Sequence, residues 1–81
     1  MPRVGDKVLL PPWVFGPKRK DRRTGIIVHI DGAYHDIKPS WCNWVVELYP
    51  NEFRVLGKSN YSIQKCVGFY RKYLREYFGV K

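Results

Sequence analysis

Gly25-Ile26-Ile27-Val28-His29-Ile30-Asp31-Gly32 is the stretch on which the fold of this 81-residue chain turns. Four of its residues are β-branched, which stiffens the side chain and favours a pleated strand over a helix. Asp31-Gly32 is a turn signal that ends the run. Strict alternation puts Ile26, Val28 and Ile30 on one face and Ile27 and His29 on the other. Upstream, Val4-Gly5-Asp6-Lys7-Val8-Leu9-Leu10 is a second β-rich run, stopped by Pro11-Pro12, neither of which can donate to a ladder. Downstream, residues 33–43 read as a polar and aromatic loop. Trp44-Val45-Val46-Glu47-Leu48 then alternates again, with Trp44, Val46 and Leu48 facing the core together. Tyr49-Pro50-Asn51-Glu52 supplies a turn, and Phe53-Arg54-Val55-Leu56 returns as the next strand with Phe53 and Val55 inward. Short strands joined by turns predict a mainly β fold, a small antiparallel barrel of four or five strands over residues 4–56.

After residue 60 the apolar period changes from two to 3.6. Ile63, Cys66, Val67, Tyr70, Leu74, Tyr77 and Phe78 recur three and four apart, which predicts an amphipathic helix over residues 62–78. Ser62 suits its N-cap and Gly79 its end. Gly68, a costly residue inside a helix, predicts a close approach of backbone to a neighbour. The apolar face is expected to cover an open end of the barrel; a homodimer seam is the alternative use. The whole chain, 1–81, reads as one domain.

Charge is unevenly spread. The net +8 comes from two places: Lys18, Arg19, Lys20, Arg22 and Arg23 against Asp21, and Lys65, Arg71, Lys72, Arg75 and Lys81 against Glu76. The remaining charges cancel. A loop and a helix that carry all the excess, around a balanced body, direct a field at an anionic partner. An aromatic share of 16% is high for so small a core, so some rings are expected at the surface to bind a ligand. No apolar run is long enough to cross a membrane as a helix, and the first residues lack a signal-peptide pattern. A cytoplasmic location is expected, or the interior of a host cell if the source is viral. Cys42 and Cys66 read as two free thiols, and with His29 and His35 they have no metal-ligand spacing.

The order Gly5-Asp6-Lys7-Val8, loop, Gly25-Ile26-Ile27-Val28, loop, Trp44-Val45-Val46-Glu47-Leu48, Phe53-Arg54-Val55-Leu56 resembles SH3-like barrels of the Tudor or KOW kind. The resemblance covers residues 4–56 and leaves the helix outside. It implies a module that binds nucleic acid, peptide or protein through basic and aromatic residues at one rim of the barrel. A second, shorter likeness is that of Val46-Glu47-Leu48-Tyr49-Pro50 to the Val-Gln-Ile-Tyr-Pro stretch of type II dihydrofolate reductases. There Glu47 adds a charge where that family has a neutral amide.

The residues themselves favour a non-catalytic binder without a cofactor. Cations at phosphate spacing beside flat rings suit a nucleic acid, DNA or RNA. Lys18, Arg19, Lys20, Arg22 and Arg23 supply the charge, with Trp13 and Phe15 for stacking. Arg71, Lys72 and Arg75 form a second basic patch, and Tyr34 and Trp41 a candidate aromatic rim. No recognition helix or Cys/His finger is present, so contacts dominated by the backbone and weakly selective are expected. The alternative partner is an acidic or methylated protein surface, the latter held in a cage of Trp13, Phe15, Tyr34 and Trp41 with Asp31 or Asp36 beside it. A small phage or viral inhibitor of host machinery would work by such docking. No catalytic set emerges: His29 reads as a strand residue, and His35-Asp36, being sequence neighbours, lack the geometry of a dyad.

Overall fold

A computed structural model of the chain describes residues 2–14, 24–40 and 43–78. Five strands and one long helix follow one another: β1 (Asp6–Leu9), β2 (Thr24–Asp31), β3 (Tyr34–Pro39), β4 (Val46–Leu48), β5 (Arg54–Lys58) and α1 (Ile63–Phe78). Short 3-10 turns at Pro12–Val14 and Pro50–Glu52 follow β1 and β4. All strand pairs are antiparallel, in the order β4-β3-β2-β1-β5.

The sheet is rolled, and chain length requires it. Leu48 stands level with His35 and Ile30, whereas Arg54 stands level with Leu9 and Thr24. On a flat sheet those two points would be about 26 Å apart, from ~4.8 Å per strand and ~3.3 Å per residue. Six residues reach at most about 21 Å, and the 3-10 turn between them shortens that further. Rolling encloses Val8, Leu10, Ile27, Ile37 and Leu48 on the inner face, with Val4, Val14, Ile30, Val46 and Phe53 packed around them. Each fully buried aliphatic contributes about 1.5–3 kcal/mol.

Several expectations need correction. Residues 33–43 are not mainly loop: β3 occupies Tyr34–Pro39, with His35, Ile37 and Pro39 buried and paired to β2. Alternation in β2 is broken by a bulge. Ile27 pairs with Ile37 but His29 pairs with Asp36, so Val28 is the extra residue. Such an insertion lets two successive residues share a face. Ile27 and Ile30 therefore join the core, while Val28 and His29 turn outward together. Trp44 precedes β4 and is 52% exposed rather than a core residue. Phe53 packs inward, but Val55 on edge strand β5 is 41% exposed.

The second bulge lies in β5, where Lys7 pairs with Gly57 and Val8 with Val55, leaving Leu56 over. Gly57 takes φ 135°, a backbone state closed to residues with a Cβ at low cost. At Gly25 the constraint is space: a Cβ would stand 2.8 Å from Ile37 Cγ2 and 2.9 Å from the Lys38 carbonyl oxygen. Among the described residues nothing outside the helix's own backbone would stand within 4 Å of a Cβ at Gly68, so the close contact expected there is not found among them.

Helix α1 begins as expected. The Lys65 N–H donates to Ser62 Oγ (3.1 Å), and the Cys66 N–H to the Ser62 carbonyl (3.1 Å). It does not cap an end of a barrel; it packs on β2, across the outer face of the sheet. Its buried face is also rotated from the expected one. Cys66 is fully buried and Phe69, Tyr70, Tyr73 and Leu74 half-buried, but Ile63 is 64% exposed and Val67 is exposed too. The reason is the surface beneath, which is polar. Rings with polar tips or electron-rich faces meet His29, Asp36 and Lys38 better than aliphatic side chains do. Gly79 lies outside the described residues.

Candidate functional site

Strand register brings lysines together on the outer face of the sheet. Lys7 on β1 pairs with Ile26 on β2, and Ile26 with Lys38 on β3. All three alternate with core residues, so they form one row across three strands with the lysines about 10 Å apart at the backbone. Lys58, at the end of β5, joins Lys7 in lining a groove of about 360 Å3. Thr24, Gly25, Ile26, Ser40 and the β5–α1 connection, Ser59-Asn60-Tyr61, complete the walls. Neither Lys7 nor Lys58 has an acidic partner within 4.0 Å among the described residues. The Asp6 carboxylate opposite Lys58 accepts the Arg3 N–H (3.0 Å) instead.

The groove wall is fastened from within. Ser59 Oγ donates to the Gly5 carbonyl (2.7 Å) and accepts the Tyr61 N–H (3.1 Å), while the Ser59 N–H donates to the same carbonyl (3.1 Å). This holds Tyr61 in the groove wall with the residue 43% exposed. Across from it, the Ser40 N–H donates to the Thr24 carbonyl (3.0 Å), with the two hydroxyls 3.5 Å apart. Thr24 is the residue that follows Arg23, and Ser40 the one that precedes Trp41. The two long connections are therefore joined to the sheet side by side.

Of the residues singled out from sequence, Phe15, Lys18, Arg19, Lys20, Arg22, Arg23, Trp41 and Cys42 lie outside the described residues. Trp13 sits in the 3-10 turn after β1, 65% exposed, while its neighbour Val14 packs on the core. Arg71, Lys72 and Arg75 are exposed on α1, with Lys72 Nζ 3.9 Å from Glu76 Oε1. Lys72 lines a smaller cleft with Asn43, Phe69, Tyr73 and Glu76. Ser40 belongs to the groove and Asn43 to this cleft, so at most about 11 Å of chain separates a residue of one from a residue of the other. Lys38 Nζ, 5.5 Å from the centre of the Phe69 ring, ties the sheet row to the helix.

Tyr34 lies elsewhere. It opens β3, about 17 Å along the strand from its Pro39 end. There its ring lies tilted against that of Tyr49 (centroids 4.8 Å apart, 36° between planes), whose hydroxyl donates to Tyr34 Oη at 2.8 Å. That hydrogen bond, first, and the neighbouring Tyr34 charge hold the Tyr49 hydroxyl above its ordinary pKa.

A further cluster escaped the sequence reading. His29 Nδ1 lies 3.3 Å from Asp36 Oδ2, and its ring stacks on Tyr70 (centroids 4.3 Å apart, 4° between planes). Asp36 is buried beneath α1, where His29 offsets the cost of its desolvation. Burial above all, then the Asp36 hydrogen bond and charge, push the Tyr70 pKa well up. The bulge at Val28 is what aligns His29 with Asp36, and alternation alone does not reveal a bulge. Cys66 is also buried and free, its thiol pushed up by desolvation and hence unreactive. Comparison with protein-family models, with curated proteins and with solved structures finds no match to this chain.

Proposed function

We propose that this protein is a non-catalytic nucleic-acid-binding module built on a rolled, SH3-like sheet. The observation that carries the reading is the gathering of Lys7, Lys38 and Lys58 at one end of the outer face. There β2 receives the chain from Lys18, Arg19, Lys20, Arg22 and Arg23. Several cations without acidic partners, spread over one surface, suit a polyanion better than a single carboxylate. Lys72 and the exposed Arg71 and Arg75 extend the surface onto α1. Trp13 and Tyr61 supply exposed rings. For the alternative of a caged methylammonium, Asp36 is buried and engaged with His29 and Tyr34 lies tilted against Tyr49, which leaves the exposed Asp31 as the acid.

Fluorescence anisotropy with single- and double-stranded DNA and RNA, across a salt series, tests the proposal. Affinity is expected to fall linearly in log salt, with a shallower slope for the triple variant Arg19→Glu/Lys20→Glu/Arg22→Glu. Absence of binding to all four ligands at about 50 mM salt, where phosphate contacts are strong, would end the nucleic-acid reading and redirect the search to an acidic protein.

A further inference from the structure

Resting on the nucleic-acid reading and deepening it, we propose that the groove between Lys7, Lys58 and Tyr61 is a single-nucleotide subsite that selects single strands over duplex. A phosphate lies between the two ammonium groups, and an unstacked base lies on the Tyr61 ring.

Four features converge on this ligand. The volume, about 360 Å3, falls at the small end of the range for small-molecule sites, the right scale for one nucleotide. Its two lysines come from adjacent strands, β1 and β5, and neither is neutralised by an acid among the described residues. Tyr61 presents an exposed ring on a backbone already pinned through Ser59 to Gly5, so little order is lost when a base stacks on it. Thr24, Ser40 and Asn60 add hydroxyl and amide groups suited to sugar and base edges.

Strand selectivity follows from geometry. In a duplex both faces of an internal base are covered by its neighbours, so Tyr61 has nothing to stack on. A single strand exposes its bases, and stacking on a ring tolerates any sequence. The lysines contribute to both ligands; only the ring distinguishes them.

The test measures binding of a thymidylate oligomer of about 10 nucleotides and of a duplex of mixed sequence, for wild type, Tyr61→Leu, Tyr61→Phe and Lys7→Ala/Lys58→Ala. Loss of the ring in Tyr61→Leu is expected to weaken single-strand binding about tenfold and leave duplex binding and the salt slope unchanged. Tyr61→Phe, which keeps the ring, retains wild-type affinity. The lysine pair is expected to reduce the single-strand salt slope by about 0.7, the loss of one neutralised phosphate. Should Tyr61→Leu melt early, the lysine variant, altered only at exposed side chains, tests the phosphate contact, and the wild type's preference for the oligomer over the duplex tests strand selection, which equal affinity for the two overturns. Wild-type binding that neither the Leu variant nor the lysine pair alters overturns the groove as a subsite and leaves the broader reading standing. Wild-type binding to neither of these, nor to single- or double-stranded RNA, takes down both.

Discussion

Two glycines show how differently the same residue type is used. Gly25 lies where β2 runs so close to β3 that a methyl group would strike a side chain and a backbone carbonyl, and the carbonyl has little freedom to yield. Gly25→Ala is expected to cost about 1–3 kcal/mol, the usual range for overpacking. Gly68 faces open space on α1, so Gly68→Ala is expected to add about 1 kcal/mol through helix propensity alone. Chemical denaturation of the two variants checks both signs. From sequence, Gly25 was legible as the start of a strand, but the pressure of Ile37 and Lys38 on it was not, because those residues belonged to a segment read as loop. Yet the alternation of β3 was present there: His35, Ile37 and Pro39 point in, and Tyr34, Asp36 and Lys38 point out. Its polar residues and terminal proline hid a strand whose outer face is sheltered by a helix rather than by water.

The elements of the fold illustrate the same division. Helix α1 was legible in its period and in Ser62, and the structure bears out both, with only the first residue of the span serving as cap. Which face it buries was not legible, since that depends on what it lies against. It lies against a hydrogen-bonded patch, so its docking depends on the protonation state of Tyr70. The Tyr70 pKa is raised in the folded protein, so the neutral phenol is the form that folding favours. That contribution is fully present below the unfolded value of about 10 and is lost as pH rises through the folded one. Thermal melts between about pH 8 and 11.5 are expected to show the wild type losing stability above pH 10 more steeply than Tyr70→Phe. Parallel curves would mean that the hydroxyl does not couple helix docking to pH. His29, unremarkable by sequence, is here a clamp between β3 and α1.

At the scale of the whole molecule, charge layout joins fold to function. Outside the two basic stretches the charges cancel in number, but strand pairing separates them in space. Lys7, Lys38 and Lys58 gather near the Thr24 end of β2, with Asp6 opposite Lys58 bonded to the Arg3 N–H, while Asp31 and the buried Asp36 lie toward the other. A count along the chain cannot see this separation, because it arises from the register of β1 with β2 and of β2 with β3 and from the bulge at Leu56. The strand-rich body, the terminal helix and the two basic stretches were legible. The row of lysines, the groove and the His29–Asp36–Tyr70 cluster were not, since each joins residues distant in sequence. The central claim is that an anionic polymer binds at this end of the outer face. The most direct measurement is the change in backbone amide chemical shifts on adding a single-stranded oligonucleotide. Shifts are expected at Lys7, Thr24, Gly25, Ile26, Ser40 and Lys58 through Tyr61, with Tyr34 and Tyr49 unmoved. Shifts confined to the Tyr34–Tyr49 end, with the groove silent, would contradict it.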